Sequence, residues 1–407
     1  MINHSSQTFD GLGIAPKLLA ALDRAKFIHP TPIQARSIPV ALEGKDMIGI
    51  AQTGTGKTLA FGIPMLQRLA QIGGQGLIIL PTRELAIQVD EMLCKIGKTI
   101  GLRTAVIIGG ANMPRQKNTL KKNPHIIIAT PGRLIDHLDQ RSVSLSRVKI
   151  LILDEADRMF DMGFKPQINR IIRVVPTDRQ TMLFSATMAD DVVRLATAHM
   201  KLPMRVEIAR PGTAAEKVTH ELFVVAKTDK IHLLNQLLSE YRGTVLVFSR
   251  TKHGAKKIAR DVRNMGVTTV ELHSARSMSQ RREALSGFKT GRYRVLVATD
   301  IAARGIDVTG IEVVINFDLP EHAGDYVHRI GRTGRAGHVG HAISFATPDQ
   351  GSLVRSIEKF IRTNLPAKKF SAPASTHKHA PLDSKPYQPH KFKHRPPRRS
   401  RHRLSRR

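Results

Sequence analysis

The sequence predicts an α/β protein made of two similar domains in tandem, followed by a basic tail. Three observations predict it. Short, continuous apolar runs alternate with stretches of helical spacing, which argues parallel sheets covered by helices on both faces. A polar segment around Pro211 and Gly212 divides these runs into two series. From Ala367 onward aliphatic residues give way to Lys, Arg, His and Pro.

The first series predicts strands at "DMIGI" (46–50), "GLIIL" (76–80), "TAVII" (104–108), "HIIIA" (125–129), "KILIL" (149–153) and "TMLF" (181–184). Each is rich in β-branched or aliphatic residues and is followed by a helical period. The second series predicts strands at "ELFVVA", "TVLVF", "TTVEL", "RVLVA", "EVVINF" and "HAISFA". The expected organisation is a first domain over residues 1–208, a linker over 209–217, a second domain over 218–366 and a disordered basic tail over 367–407. Two such domains leave a cleft between them, a common place for ligands.

With 407 residues and 41% hydrophobic content, the chain is long enough for two real cores. Lys and Arg number 64 against 33 Asp and Glu, a formal charge of +31, so a polyanion is the expected partner, nucleic acid ahead of an anionic membrane. The last 41 residues hold 13 Lys or Arg and one acid, Asp383, which leaves +19 on the two domains. That tail cannot bury enough surface to fold alone. Its Phe370, Tyr387 and Phe392 are candidates to stack on bases. The start, "MINHSSQTFD", lacks the blocks of a signal peptide, and no apolar run approaches the ~20 residues of a membrane span. A soluble, cytoplasmic protein with no membrane partner is the expectation. Cys94, the only cysteine, excludes an intramolecular disulfide and a cysteine zinc cage; its helical setting predicts a small buried residue.

Chemistry concentrates in two places. "AQTGTGKT" (51–58) follows a predicted strand, precedes a helical stretch, and matches the phosphate-loop pattern with Ala51 at its first glycine position. Small residues there let backbone N–H groups of Ala51, Gln52, Thr53, Gly54, Thr55 and Gly56 wrap phosphates, while Lys57 reaches the β and γ phosphates and the Thr58 hydroxyl suits Mg²⁺. "ILILDEADRM" (150–159) ends a strand in Asp154, Glu155 and Asp157. Such a cluster is either a helix cap or a metal site. The phosphate loop favours the second reading for Asp154, on Mg²⁺, and for Glu155, polarising a water, while Asp157 can remain a cap.

With these residues in place the chain resembles the DEAD-box ATP-dependent RNA helicases, whose name is spelled by residues 154–157. The other family motifs follow in order across about residues 9–340: "FIHPTPIQ" (27–34), "PTRELA" (81–86), "GG" (109–110), "TPGR" (130–133), "SAT" (185–187), "VFSRT" (247–251), "ATDIAARGID" (298–307) and "HRIGRTGR" (328–335). "LDEADRMFDMGF" is further similar to the bacterial RhlE-like branch. The resemblance implies two RecA-like domains, ATP and Mg²⁺ as cofactors, and an RNA partner. It implies that Gln34 reads adenine with Phe27 against the ring, and that Phe9 is the family's isolated upstream aromatic. Gly305 and Asp307 would approach the ATP from the second domain, where Arg332 and Arg335 match the arginine fingers. Ser185, Thr187 and His328 would couple the closed cleft to the metal site. RNA contacts would come from Arg83, Gly109, Gly110, Thr130, Gly132 and Arg133, joined by Arg281 and Thr299.

Two positions depart from the family pattern: Lys26 stands where glycine is usual, and Met278 where glutamine is expected, with Gln280 two residues on. The expected function is RNA-stimulated ATP hydrolysis coupled to local, non-processive unwinding of short duplexes or remodelling of ribonucleoproteins, in ribosomal or RNA-decay assemblies. An ATP-gated RNA clamp or assembly platform is the alternative. Intact Glu155, Arg332 and Arg335 argue for turnover.

Overall fold

The computed structural model describes residues 8–370 apart from 53, 209–217, 304–307, 309 and 335–339. The first lobe carries β1 (Met47–Ile50), β2 (Gln75–Ile79), β3 (Thr104–Ile107), β4 (Ile126–Ala129), β5 (Val148–Leu153), β6 (Gln180–Ser185) and β7 (Met204–Glu207). The second carries β8 (Val218–Val224), β9 (Val245–Phe248), β10 (Thr269–Leu272), β11 (Val295–Ala298), β12 (Val313–Asn316), β13 (Gly340–Ala346) and β14 (Ala367–Lys369). Each sheet has seven strands, in the orders β3-β4-β2-β5-β6-β1-β7 and β10-β11-β9-β12-β13-β8-β14. Their ladders are parallel.

Burial explains why these runs became central strands. β1, β4, β9, β11 and β12 are buried along their whole length, as a parallel sheet covered on both faces requires. In β1, Gly49 admits the Phe184 ring, which a Cβ would strike at 2.5 Å, and Phe184 in turn tilts against Phe61 on the helix Lys57–Ile72.

Two of the four edge strands, β7 and β14, carry no apolar run and are not expected from the sequence. In β7 only Val206 is buried, so no apolar run marks it. β14 is a three-residue strand rich in lysine that pairs with β8, and charge on an edge is how sheets avoid pairing with other chains. The second sheet therefore continues past the boundary drawn at Ala367, and Phe370 packs against its core. Residues 371–407, with Tyr387 and Phe392, lie outside the described residues, as does the linker 209–217. Cys94 is exposed, not buried: the inner stripe of the helix Arg83–Gly97 runs through Leu85, Ala86, Val89, Leu93 and Ile96, and Cys94 lies beside it. Among the described residues no helix is long and apolar enough to cross a membrane.

The strand order sorts the motifs. In the first sheet β5, β6 and β1 are neighbours, so their C-terminal ends bring together "AQTGTGKT", "DEAD" and "SAT". β3, β4 and β2 form the other half and bring together "PTRELA", "GG" and "TPGR". Ligands of open α/β sheets gather at the carboxyl ends of strands.

Candidate active site and nucleic-acid interface

The phosphate-loop segment reverses tightly through Gly54 at φ 87° and Gly56 at φ 90°, and Lys57 opens the following helix. Gly56 has a second constraint, because a Cβ there would collide with the Gln34 amide. Lys57 is buried and its Nζ donates to the Ala51 carbonyl at 2.9 Å; the Thr55 hydroxyl donates to the Gln52 carbonyl at 2.7 Å. Thr58 is half-buried beside them, and Thr53 lies outside the described residues.

Gln34 sits in the third position of the helix Pro32–Leu42, where its Oε1 accepts from the Thr31 N–H at 2.9 Å in a capping box. Its Nε2 donates to the Gly56 carbonyl at 3.0 Å. An amide has two donor hydrogens and two acceptor lone pairs, so one of each is left to meet an adenine edge. Phe27 is half-buried with the Lys95 ammonium 5.5 Å from its ring centre. Phe9 is only 4% exposed and packs into the core of the first lobe.

Lys26 does not disturb this turn. It adopts φ 63° and closes the helix Pro16–Arg24, its N–H donating to Asp23 and that of Phe27 to Leu22. This is the left-handed C-terminal position where glycine is the usual occupant. Lysine takes the same shape at a cost.

At the end of β5, Asp154 Oδ1 accepts from the Glu155 N–H at 2.9 Å. Burial raises its carboxyl to about 6, against the pull of Lys57. Glu155 holds a left-handed backbone, φ 53° and ψ 49°, at a cost of about 1–2 kcal/mol of strain. Burial pushes its carboxyl up too, but Arg158, Lys57, Arg332 and His328 outweigh it and hold it down at about 2. Arg158 is its direct ion-pair partner. Asp157 ties two motifs together: its Oδ2 accepts from the N–H groups of Ala186 and Thr187 at 3.1 and 2.9 Å and from the Thr187 hydroxyl at 3.0 Å. Its own N–H donates to Ser185 Oγ at 3.3 Å. Ser185 and Thr187 thus meet Asp157, a link the sequence reading had left as a cap.

The second lobe reaches this site with the helix Ala323–Ile330. Arg332 is buried, with Nε donating to the His328 carbonyl at 3.2 Å. Burial lowers the His328 imidazole to about 4, and the charges it feels include Asp157, Arg158 and Glu155 of the first lobe. Arg329 was not foreseen: it is 2% exposed, pairs with both oxygens of Asp300 at 2.5 and 2.6 Å, and reaches the Asn316 amide oxygen at 3.0 Å. It joins the segment holding Thr299 and Asp300 to the segment holding Arg332. Gly305, Asp307 and Arg335 lie outside the described residues.

On the other half of the edge, the Arg83 guanidinium lies on Gly109 and Gly110, whose missing side chains make room for it; a Cβ on Gly110, at φ 74°, would collide with it. Arg133 donates to the Ala111 carbonyl at 3.0 Å, Thr130 is buried at the start of the next helix, and Gly132 faces open space. Arg281 is the surprise of this face. It is 7% exposed, donates from Nε to Glu84 of the first lobe at 2.6 Å, and from Nη1 to the His273 carbonyl at 3.0 Å. It fastens the lobes together at a position expected to contribute to the RNA contacts. Met278 opens the helix Met278–Lys289 and packs against the core cluster of the first lobe, while Gln280 completes a capping box with Ser277. Thr299 is half-buried at the end of β11.

Comparison with known proteins matches this geometry. The DEAD/DEAH box helicase model matches residues 31–195 and the helicase conserved C-terminal domain model residues 229–337. The chain is 42% identical to the ATP-dependent rRNA helicase RRP3 of Debaryomyces hansenii over 367 residues, 88% of this chain and 76% of the relative. Its counterpart in Candida albicans is 43% identical over 364 residues, 88% of this chain and 68% of the relative. Among solved structures, S. cerevisiae Dbp5 bound to RNA and ADP BeF3 superposes with a TM-score of 0.80 at 31% identity, covering 89% of this chain and 96% of that one. These relatives are fungal, so the finer likeness to a bacterial branch gains nothing from them. Two RecA-like lobes, two matched helicase models and relatives similar over most of their length place the chain in the DEAD-box family of ATP-dependent RNA helicases.

Proposed function

We propose that ATP is bound and hydrolysed in the cleft between the lobes, and that hydrolysis is licensed only when RNA holds them together. One observation carries this reading. The cations that keep Glu155 ionised come from both lobes, Arg158 and Lys57 from the first and Arg332 from the second. A carboxylate completed by a partner from across a cleft works only when the cleft is shut.

In this reading Gln34 and Phe27 take the adenine, residues 51–56 and Lys57 the phosphates, and Glu155 accepts a proton from the attacking water. Arg332 offsets charge spreading over the γ-phosphate, and Asp157 holds Ser185 and Thr187 in line with it. Phe9 supports this wall from within the core. Gly305, Asp307 and Arg335 complete the site from the second lobe. Among the described residues no group of three or more His, Cys, Asp or Glu can hold a metal by itself. One carboxylate, Asp154, and one hydroxyl, Thr58, beside a phosphate loop are the donor set that Mg²⁺ prefers, since it keeps waters and shares substrate phosphates. When bound it would neutralise phosphate charge; Asp154 and Thr58 would hold it.

Arg83, Gly109, Gly110, Thr130, Gly132 and Arg133, with Thr299, would grip a sugar-phosphate backbone without reading sequence. Bending that strand out of duplex geometry gives local, non-processive unwinding. The rRNA named in the relatives' descriptions makes structured ribosomal RNA the first substrate to try, and a cytoplasmic location is part of the reading, checked by fractionation. The test is steady-state ATPase activity without nucleic acid, with single-stranded RNA and with DNA of the same sequence. Stimulation by RNA alone, abolished in Glu155→Gln while that variant still holds RNA with ATP, is the expected result. Equal stimulation by DNA would overturn the substrate, and rapid RNA release by Glu155→Gln with ATP would overturn the closed-cleft mechanism. ATP-dependent retention of RNA by the wild type with little separation of short duplexes would instead favour an ATP-gated clamp or assembly platform whose unwinding is incidental.

A further inference from the structure

The two sheets share one strand order, so β8 stands where β1 stands, β12 where β5 stands and β13 where β6 stands. In the first lobe the C-terminal ends of those three strands carry the phosphate loop, the acidic cluster and "SAT". In the second lobe the same three ends open into a cavity of about 1000 Å³. That volume lies at the upper end of small-molecule sites.

The likeness extends to side chains. Lys230 is the first residue of the helix Lys230–Glu240 after β8, as Lys57 is the first residue of its helix after β1. Both ammoniums are buried and donate to a carbonyl one residue past a strand end, Lys57 to Ala51 at 2.9 Å and Lys230 to Phe317 at 2.7 Å. Asp318 stands two residues past β12, where Asp154 stands one past β5, and lies 3.4 Å from the Lys230 ammonium. Asp318 also accepts from the Arg250 N–H at 3.1 Å, which fixes the loop after β9 at the cavity rim.

The differences restrict the ligand. Residues 225–229, "VAKTD", contain no glycine, so this connection cannot wrap a polyphosphate as residues 51–57 can. Lys227, Lys230, Arg250 and Lys257 face the carboxylates of Asp261, Asp318 and Asp349, a surplus of one positive charge. One surplus charge suits one phosphodiester and is too little for a triphosphate. Phe317, Ile231 and Ile258 supply an apolar wall of the size a base needs.

We propose that this cavity is a second nucleotide site, taking a single nucleoside monophosphate unit with its phosphate on Lys227, Arg250 and Lys257 and its base against Phe317. The unit comes either from an RNA strand, since Arg250 and Thr251 lie on the RNA half of the second sheet, or from a free mononucleotide. The site is independent of the roles assigned in the cleft.

The test uses the full chain with the first site filled by ADP and beryllium fluoride, following the Ile231 and Ile258 methyl resonances as AMP, inorganic phosphate or a short single-stranded RNA is added. AMP is expected to shift both methyls, with affinity roughly tenfold or more weaker in the Lys227→Glu/Lys257→Glu double variant, both positions being exposed. Phe317→Ala should weaken AMP and leave phosphate unchanged. A response confined to RNA and lost in the double variant would assign the strand as the source; one to AMP with RNA inert would assign the free nucleotide. Silence towards both, a response unchanged in the double variant, or inorganic phosphate acting as strongly as AMP would overturn the proposal. ATPase stimulation by RNA, measured in parallel, reports on the cleft alone.

Discussion

Replacing Glu84 by Gln should loosen the closed molecule without touching either substrate. The Glu84 and Arg281 side chains are 6% and 8% exposed and meet at 2.6 Å across the lobes. Opening the cleft returns both to water, so the pair counts only in the closed state. Breaking a buried ion pair from one side costs about 3–5 kcal/mol, because the remaining charge stays buried. Glutamine still offers an oxygen and Arg281 keeps the His273 carbonyl, so about 2–3 kcal/mol is the reasonable loss. That corresponds to roughly 30- to 150-fold weaker RNA binding in the presence of ATP or ADP with beryllium fluoride. Binding of RNA without nucleotide, and of nucleotide without RNA, should not change. Fluorescence anisotropy of a labelled RNA measures the first, and a double-mutant cycle with Arg281→Met isolates the pair. Equal affinity in the two-ligand complex, or a coupling below about 0.5 kcal/mol, would refute the reasoning and return Arg281 to the role of a direct RNA contact.

Asp154→Asn should stabilise the ligand-free protein at pH 7.5 by about 2–3 kcal/mol while abolishing turnover, because the wild-type carboxyl is raised to about 6 in the fold. Between about pH 4 and 6 the folded state binds the extra proton, so wild-type stability falls as pH rises through that window and the gain of the variant grows with it; denaturant melts at pH 4.5 and 7.5 check this. Glu155 has the opposite sign: held at about 2, it contributes stability above its unfolded pKa that is lost only as pH falls towards 2. Lys26→Gly should raise stability by roughly 0.5–1 kcal/mol, the left-handed cost less the added chain entropy of glycine, with ATPase activity kept. Truncation after Phe370 removes eleven Lys or Arg and one acid, so RNA affinity should fall and its salt dependence flatten. Truncation after Pro366 should also lower thermal stability, since it takes away β14 and Phe370.

What the sequence made legible follows from what repeats locally. Central strands announce themselves because burial on both faces demands unbroken apolar runs; all ten of them are among the twelve runs expected, and the other two runs are the edge strands β3 and β10. β7 and β14 did not, because an edge strand with one buried residue, or with lysines, has no pattern to read. The phosphate loop was legible for a similar reason: glycines at Gly54 and Gly56 are required by a local positive φ and a close approach. The ion pair of Arg281 was not legible because its partner, Glu84, lies 197 residues away, and nothing in spacing marks an arginine that meets a carboxylate. Asp157, read only as a cap, and Arg329, not singled out, join segments that the sheet order, not the chain order, makes neighbours.

Under the proposed closed-cleft reading, that sheet order would also tie hydrolysis and RNA release into one event. Within the first lobe Glu155 is buried, which by itself would push its carboxyl towards neutrality and spoil it as a proton acceptor. Arg158 and Lys57 offset part of that penalty, and Arg332 adds to the offset only from the far side of the cleft. The same closure buries Arg281 against Glu84, on the half of the edge where Arg83 and Arg133 gather. Three guanidiniums gather there against two carboxylates, Glu84 and, beside Arg133, Asp136, a surplus of one positive charge that a phosphodiester strand would offset. RNA therefore stabilises the arrangement that completes Glu155, and ATP stabilises the arrangement that draws the arginines together. Loss of the γ-phosphate removes one of the two anions holding the lobes, leaving the guanidinium cluster to favour opening and with it release of the strand.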